Sequence, residues 1–455
     1  MINRKKKIER RPNVSKVTFM GAGSTVFAKN VLGDLMMTPS LRDFDIALYD
    51  IDPERLEESY IMVSSLNRNI NENRARVAKY LGTENRRDAL RGADFVVNAI
   101  QVGGYEPSTV IDFEIPKKYG LRQTIGDTHG IGGIFRALRT IPVLADFAED
   151  MEAVCPRALF LNYTNPMASL TGFLLRYTPI ASVGLCHSVQ VCSRGLLGKL
   201  EIPYTEPIRE KIAGINHMAW LLELEDADGT DLYPEVRRRA IAALEGDTNE
   251  KTEKDLVRFE YIRRLGYYCT ESSEHNAEYN SFFIKNAHPE LIDRYRIPLD
   301  EYPRRCVRQI ERWKEARAGY LDNNVTHKRT REYASYIMDA VVTDTPFRIG
   351  GNVLNDGLIE NLPREACVEV PCMVDRAGVH PTVVGRLPLQ LAALNLQQIS
   401  VQLLTIEAAV TRKKDAIYQA AMMDPHAAAE LTVDEIVALC DDLIAAHGDY
   451  LPEYR

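Results

Sequence analysis

The chain has 455 residues, of which 45% are hydrophobic and 26% charged, with a formal net charge of -8. These proportions predict a globular protein with a large core, built as one long domain or two closely packed ones. The acidic balance disfavours nucleic acid and anionic membranes as partners, and no apolar stretch approaches the ~20 residues that a membrane span needs. Because no apolar segment follows the basic start, residues 1–16, no secretory signal is predicted, and we expect a cytoplasmic location.

Predicted strands and helices alternate along the first part of the chain. Strands are predicted at 16–20, 45–49, 94–100, 158–162 and 181–186, and helical spacing at 26–37. This alternation predicts an α/β fold with a Rossmann-like doubly wound sheet.

Beyond about residue 195 the pattern changes to longer helical segments. These are predicted at 255–265 and 387–422, with strands at 211–215 and 367–370. The expected second part is α+β and mainly helical, as in lactate and malate dehydrogenases, and walls a cleft at the carboxyl edge of the sheet.

A glycine turn after the first predicted strand is the candidate cofactor site. Gly21 and Gly23 supply two glycines of the dinucleotide-binding fingerprint, whereas Val26 stands at the third position. Such a turn lets the backbone approach a pyrophosphate at the start of the next helix. Asp50 ends the second strand, where a carboxylate can bind the ribose hydroxyls and repel a 2'-phosphate, so NAD is preferred over NADP. An ordinary tight turn with a capping aspartate is the alternative.

Polar segments follow several predicted strands, at 126–133, 162–166, 186–190 and 214–220. Ligands bind at the carboxyl ends of strands in open α/β sheets. The thiol of Cys186 and the imidazole of His217 can bind a borderline divalent ion, but two ligands far apart in sequence are not a motif. The residues alone favour a buried cysteine and a core histidine. The eight cysteines form no CxxC pair, which argues against a structural zinc site and a disulfide framework.

The chain resembles glycoside hydrolase family four along nearly its whole length, and within it the branch that cleaves α-galactosides. The segments that carry the resemblance are 21–25, 50–53, 56–60, 103–107, 136–142, 186–190, 214–219, 270–279 and 355–359. The resemblance implies hydrolysis by NAD-dependent oxidation at C3 of the sugar, deprotonation at C2, elimination of the aglycone, water addition and re-reduction, without the usual pair of carboxylates. NAD and a divalent metal, usually Mn2+, are the implied cofactors.

The resemblance also implies roles for individual residues. Tyr279 matches the base that removes the C2 proton, and Asp112 matches the carboxylate that assists it. Cys186 and His217 match the metal ligands. His187 stands where the acid that protonates the leaving group is expected; a histidine that only shapes specificity is the alternative.

Two further positions bear on the substrate and the cofactor. Asn165 matches a substrate-binding asparagine, with an Asx turn before Pro166 as the alternative. Gln101 stands where branches that act on 6-phosphorylated sugars tend to carry arginine, so unphosphorylated α-galactosides such as melibiose and raffinose are the expected substrates. The expected cofactor-binding residues are Gly21, Gly23, Ser24, Thr25, Asp50 and Gln101.

These predictions divide the chain into an NAD-binding domain, residues 1–195, and a domain for substrate, metal and oligomerisation, residues 196–455. Relatives suggest a homodimer or homotetramer. The nearest alternative keeps the mechanism and changes the sugar, as in an α-galacturonidase or an α-glucosidase. A 2-hydroxyacid dehydrogenase and an NAD-sensing binding protein are the alternatives of other classes.

Overall fold

The computed structural model describes residues 14–455; residues 1–13, most of the basic start, lie outside the described part. The described residues form one mixed sheet of twelve strands. In chain order the strands β1 to β12 are Lys16–Met20, Asp45–Asp50, Arg76–Leu81, Phe95–Asn98, Leu159–Asn162, Ser182–Gly184, Arg209–Ile215, Met218–Glu225, Tyr268–Cys269, Phe347–Leu354, Cys367–Asp375 and Gly378–Pro381. Their spatial order is β3-β2-β1-β4-β5-β6-β10-β11-β7-β8-β9, with β12 paired to β11.

The helices cover both faces of this sheet. In chain order α1 to α9 are Thr25–Met37, Pro53–Asn71, Arg86–Leu90, Val110–Lys118, Gly130–Val154, Met167–Tyr177, His187–Lys199, Tyr233–Leu244 and Leu256–Leu265. Helices α10 to α17 are Ser273–Glu278, Glu290–Arg294, Glu301–Tyr320, Tyr333–Thr343, Leu389–Thr411, Lys414–Met423, Pro425–Glu430 and Val433–His447. Among the described residues, no helix combines the length and apolar character needed to cross a bilayer.

Strands β1 to β6 run parallel in the order 3-2-1-4-5-6. This is the order of a doubly wound dinucleotide-binding sheet, so the predicted fold class is confirmed. Side chains of one strand pack on both faces of the sheet, since Val17 and Phe19 belong to one buried cluster and Met20 belongs to the other. The two faces are buried by different helices, which explains why these strands read as continuous apolar runs.

The second part of the chain contains more strands than the sequence predicted. Strands β7 to β12 extend the sheet antiparallel beyond β6, where Asn352 of β10 lies opposite Gly184. The predicted helix 387–422 is two helices, because Arg412 adopts a left-handed conformation with φ 60°. Arg455 contacts this break, since its backbone N–H donates to the carbonyl of Arg412 at 2.9 Å. No proline or glycine marks the break in the sequence, so it could not be predicted locally.

The carboxyl ends of β1, β2, β4, β5 and β6 meet at one edge of the sheet. The residues that follow these strands are those predicted to bind cofactor, substrate and metal. Both the sheet and the buried clusters continue across residues 195 and 196, and the division of the chain at that point stays a prediction.

Candidate active site

The glycine turn after β1 is packed tightly between its neighbouring strands. The backbone N–H groups of Gly21 and Ala22 both donate to the carbonyl of Tyr49 at 3.0 Å. Gly21 has φ +82°, and a Cβ there would lie 2.8 Å from the carbonyl carbon of Ala99. Only glycine satisfies both constraints, so this turn brings backbone to the edge of the crevice where a dinucleotide would lie.

Asp50 connects the glycine turn to the end of β2. Its Oδ2 accepts a hydrogen bond from the backbone N–H of Gly23 at 2.6 Å, and its Oδ1 accepts one from that of Asp52 at 2.9 Å. A Cβ at position 23 would lie 2.8 Å from Oδ2. Helix α1 begins at Thr25, and the Ser24 side chain does not cap it. The uncapped start of α1 suits the pyrophosphate of NAD, and the Asp50 carboxylate suits its ribose.

Gln101 leaves the end of β4 on the same edge. Its side chain is exposed, and Nε2 donates to Thr109 Oγ1 at 3.4 Å.

The predicted metal ligands lie together. Cys186 follows β6, and His217 lies in the tight turn between β7 and β8 with φ 64°. The ligand atoms of Cys186, His217 and Glu271 lie within 4.8 Å of one another. A second set, Asp127, His217 and His275, satisfies the same limit. Sulfur, imidazole nitrogen and carboxylate oxygen form a donor set that fits a divalent transition metal.

Electrostatics support a cation at this cluster. Burial raises the pKa of the Cys186 thiol, and the charges of Glu369 and Glu271 raise it further, so the thiol is neutral until a cation binds. Burial opposes ionisation of Glu271, but nearby His275 and His217 outweigh it and lower its pKa to about 2. Burial lowers the pKa of His217, which keeps its imidazole neutral as a metal ligand must be.

Tyr279 is placed beside the candidate metal ligands. Its side chain is 1% exposed, and its hydroxyl lies 3.1 Å from Nδ1 of His217. His129 meets the phenol ring edge-on, with ring centroids 4.4 Å apart. Burial raises the pKa of Tyr279 well above its ordinary value, and the charge of Asp127 adds to the effect. The phenol is therefore neutral without a bound cation.

Asp127 is the buried carboxylate that shares the Tyr279 pocket. It accepts a hydrogen bond from Thr128 Oγ1 at 2.7 Å, and its Oδ2 lies 3.5 Å from Nδ2 of Asn165. Burial opposes its charge, but His275 and Arg136 lower its pKa below the ordinary value. Asn165, which is joined to Pro166 by a cis peptide bond, therefore lies beside the same cluster.

Asp112 directs its carboxylate away from this pocket. Arg139 binds both of its oxygens, at 3.1 and 2.6 Å, and Nε2 of His447 lies 2.9 Å from Oδ1. Its hydrogen-bonding capacity is used to tie α4 to α5 and α17. The structure therefore does not bring Asp112 into contact with Tyr279, although the sequence argument paired them.

His187 begins α7, directly after Cys186. Its Nε2 lies 2.7 Å from both carboxylate oxygens of Glu332, and its side chain is 53% exposed. This bond raises the pKa of His187 against the opposing effect of burial. A protonated imidazole that remains exposed can donate a proton.

Four residues of the cluster were not assigned roles from sequence. They are Asp127, His129, Glu271 and His275. The spacing of His275 and Tyr279, four residues apart, is the available signal, since it places both side chains on one side of α10 and its C-cap. Glu271 precedes this helix, with φ 63°, and no helical spacing marks it. Asp127 and His129 lie in the loop before α5, where no periodic pattern marks them.

The fold and the site together define a class. A doubly wound sheet with a glycine turn, and a cluster of thiol, imidazole, carboxylate and phenol at the same edge, characterise a Rossmann-fold enzyme with a candidate divalent-metal centre.

Comparison with known proteins agrees with this class. The model of family 4 glycosyl hydrolases matches residues 16–202, and the model of their C-terminal domain matches residues 212–427. The chain belongs to glycosyl hydrolase family 4. It is 60% identical to an α-galactosidase of Bacillus subtilis, over 97% of this chain and 100% of the relative.

Solved structures show the same fold. The Bacillus subtilis protein lplD superposes with a TM-score of 0.82 at 25% identity, over 94% of this chain and 99% of its own. A 6-phospho-β-glucosidase of Thermotoga maritima, solved with manganese, NAD+ and glucose-6-phosphate, superposes with a TM-score of 0.76 at 21% identity, over 96% of this chain and 100% of its own.

Proposed function

We propose that the protein hydrolyses terminal α-galactosides, such as melibiose and raffinose, by NAD-dependent oxidation and elimination assisted by a divalent metal such as Mn2+. The observation that carries the proposal is the contact of 3.1 Å between the Tyr279 hydroxyl and Nδ1 of His217, beside the thiol of Cys186. A phenol, an imidazole and a thiol held together in this way suit removal of a carbon-bound proton next to a metal-chelated sugar. The name of the Bacillus subtilis relative supports the choice of sugar.

The residues fit both cofactors. NAD would be held by the turn of Gly21 and Gly23, by Asp50, and by the start of α1 with Ser24 and Thr25; Gln101 would lie near it. The metal would be held by Cys186 and His217, with Glu271 within reach. When bound, NAD supplies a reversible hydride acceptor for C3 of the sugar, and the metal supplies Lewis-acid stabilisation of negative charge at O2 and O3.

Tyr279 is the proposed base at C2. Burial keeps its phenol neutral in the free protein, so a nearby cation must favour the phenolate before it can accept a proton. Asp127 shares its pocket and orients Asn165 toward the substrate. We assign Asp112 an indirect assisting role, since it holds α5, which begins just after Asp127, through Arg139.

His187 is the proposed acid for the leaving group. The bond to Glu332 favours its charged form, so a proton is available as the glycosidic bond breaks. Its exposed side chain supports this role, because the leaving aglycone has to reach solvent. A role of His187 in substrate specificity alone is the alternative. Substrates whose leaving groups have a low pKa separate the two roles, because their cleavage needs no acid.

The sugar is the finer part of the proposal. Gln101 carries no charge, which disfavours a 6-phosphate. An α-galacturonidase would need a cation facing C6. Arg136 is a buried cation whose charge, after that of His275, lowers the pKa of Asp127. A 2-hydroxyacid dehydrogenase would release NADH during turnover. We further propose a cytoplasmic homodimer or homotetramer.

The test is release of nitrophenol from nitrophenyl α- and β-galactosides, α-glucoside and α-galacturonide, with and without Mn2+, NAD+ and reductant. Turnover of the α-galactoside only with both metal and NAD+ supports the proposal. Turnover that survives chelation and removal of the dinucleotide would overturn it. Preference for the galacturonide would retain the mechanism and change the substrate.

A further inference from the structure

A buried carboxylate, Glu369, lies between the two strands that lead to the proposed metal ligands. In the sheet register, Asn352 of β10 lies opposite both Gly184 of β6 and Glu369 of β11. Glu369 in turn lies opposite Gly214 of β7. Strand β6 ends just before Cys186, and β7 ends just before the turn with His217. One row across the sheet therefore connects both ligand-bearing strand ends.

The two carboxylate oxygens of Glu369 differ in their hydrogen bonding. Its side chain is 1% exposed, and Oε1 accepts from Nδ2 of Asn352 at 2.9 Å and from Nδ2 of Asn216 at 3.4 Å. Oε2 is buried and accepts no hydrogen bond from the part of the chain that the structure describes. The charged form of a buried carboxylate with one unpartnered oxygen is costly unless a cation lies nearby.

The groups around Glu369 do not compensate its negative charge. Burial raises its pKa to about 7, and the negative charge of Glu271 adds to this effect. Glu369 and Glu271 are also the two anions that raise the pKa of the Cys186 thiol. The groups near this carboxylate are thus neutral amides, a thiol and a second anion. A divalent cation held by Cys186 and His217 would supply the missing counter-charge.

We propose that Glu369 is a positioning residue for the metal centre, whose buried negative charge favours the divalent cation and whose bond to Asn216 holds the turn that carries His217. The inference rests on the proposed metal site and goes beyond it, because Glu369 does not reach the sugar or the metal ligands directly. Partners of metal ligands typically change metal affinity by about 10- to 100-fold when they are altered.

The test is Glu369→Gln, which preserves the size and the acceptor oxygen but removes the charge. Mn2+ affinity is measured at pH 8 in the presence of reductant, from the electron paramagnetic resonance signal of free Mn2+. We expect the Kd for Mn2+ to rise about 10- to 100-fold, while the Kd for NAD+ stays unchanged. The melting temperature of the metal-free protein should rise, because the uncompensated charge is gone. Glu223→Gln, an exposed carboxylate on β8, is the matched control.

The two measurements make the outcomes distinct. An unchanged Kd for Mn2+, a lower melting temperature of the metal-free variant, or a variant that fails to fold would each overturn the proposal in favour of a purely structural role. Cys186→Ser separates this from the proposed function. If that variant binds Mn2+ like the wild type, the metal site itself is wrongly placed; if it loses Mn2+ while Glu369→Gln does not, only the role of Glu369 fails.

Discussion

The phenol of Tyr279 is the side chain on which the proposed proton transfer depends. Tyr279→Phe removes the hydroxyl and leaves the buried ring in place. Because general-base catalysis contributes about 10²- to 10⁴-fold, kcat for the α-galactoside should fall by that factor. The Kd for NAD+ should stay within about twofold, since the residues proposed to hold the dinucleotide remain. Tyr204→Phe, at an exposed position, is the control. A kcat of Tyr279→Phe within tenfold of the wild type would contradict the assignment of Tyr279 as the base.

Asp424 predicts a pH-dependent stability away from the active site. Its Oδ2 caps α16 by accepting from the backbone N–H of Ala427 at 2.8 Å, while burial raises its pKa to about 7. An aspartate in the unfolded chain has a pKa of about 3.9. The folded state therefore holds a proton that the unfolded state has lost, and this contribution to stability declines as pH rises from about 4 to about 7.

Asp424→Asn keeps the cap and removes the carboxylate. Its free energy of unfolding should exceed that of the wild type by roughly 1–3 kcal/mol at pH 8, with a smaller difference at pH 5. Denaturant unfolding at both values measures this. His426, whose pKa burial lowers to about 4, acts in the opposite direction but is present in both proteins. A variant that is less stable at pH 8 would show that the carboxylate is not buried as described.

The glycine turn is the element whose geometry most limits substitution. Gly21→Ala would place a Cβ 2.8 Å from the carbonyl of Ala99 at φ +82°, so the turn must move away from β4. We expect at least a tenfold weaker affinity for NAD+ and a loss of about 1–3 kcal/mol of stability. Gly195→Ala is the control, because its Cβ would meet nothing within 4 Å inside α7. Fluorescence titration with NADH would contradict the account if both variants bind equally well.

Elements that depend on local pattern were predicted well. Strand β1 was predicted at its observed bounds, and Asp50 ends β2 as expected, because a buried parallel strand followed by a glycine turn is written in adjacent residues. Strand β10 was missed, since its pairing with β6 joins residues far apart in the chain. The break at Arg412 is contacted by Arg455, which is too far along the chain for a local sequence pattern to include.

The candidate site follows the same division. The resemblance placed Cys186, His217 and Tyr279, which the structure brings into one cluster. Asp127 was left without a role, and Asp112 was paired with Tyr279 although its oxygens are occupied by Arg139 and His447. Which of two nearby carboxylates faces a pocket depends on helix orientation and on partners in α17, and neither is encoded within the motif.

In the molecule as a whole, both halves of the chain contribute to each of the two buried clusters. Helix α5 of the first half packs against α14 and α15, and α4 packs against α17. Leu138, Ile417 and Leu439 belong to one buried cluster. A fragment of residues 1–195 would expose this apolar surface and the edge of β6, so we expect it to aggregate or stay unfolded. Circular dichroism and NADH titration of the fragment test this, and a folded fragment that binds NADH would contradict it.

The central claim is that hydrolysis proceeds through removal of the C2 proton. The most direct measurement is hydrolysis of a nitrophenyl α-galactoside in D2O with Mn2+ and NAD+, followed by NMR analysis of the released galactose. Deuterium is expected at C2, because the proton taken by Tyr279 is replaced from solvent before the product forms. Galactose that retains only protium at C2 would contradict elimination and indicate direct displacement at the anomeric carbon.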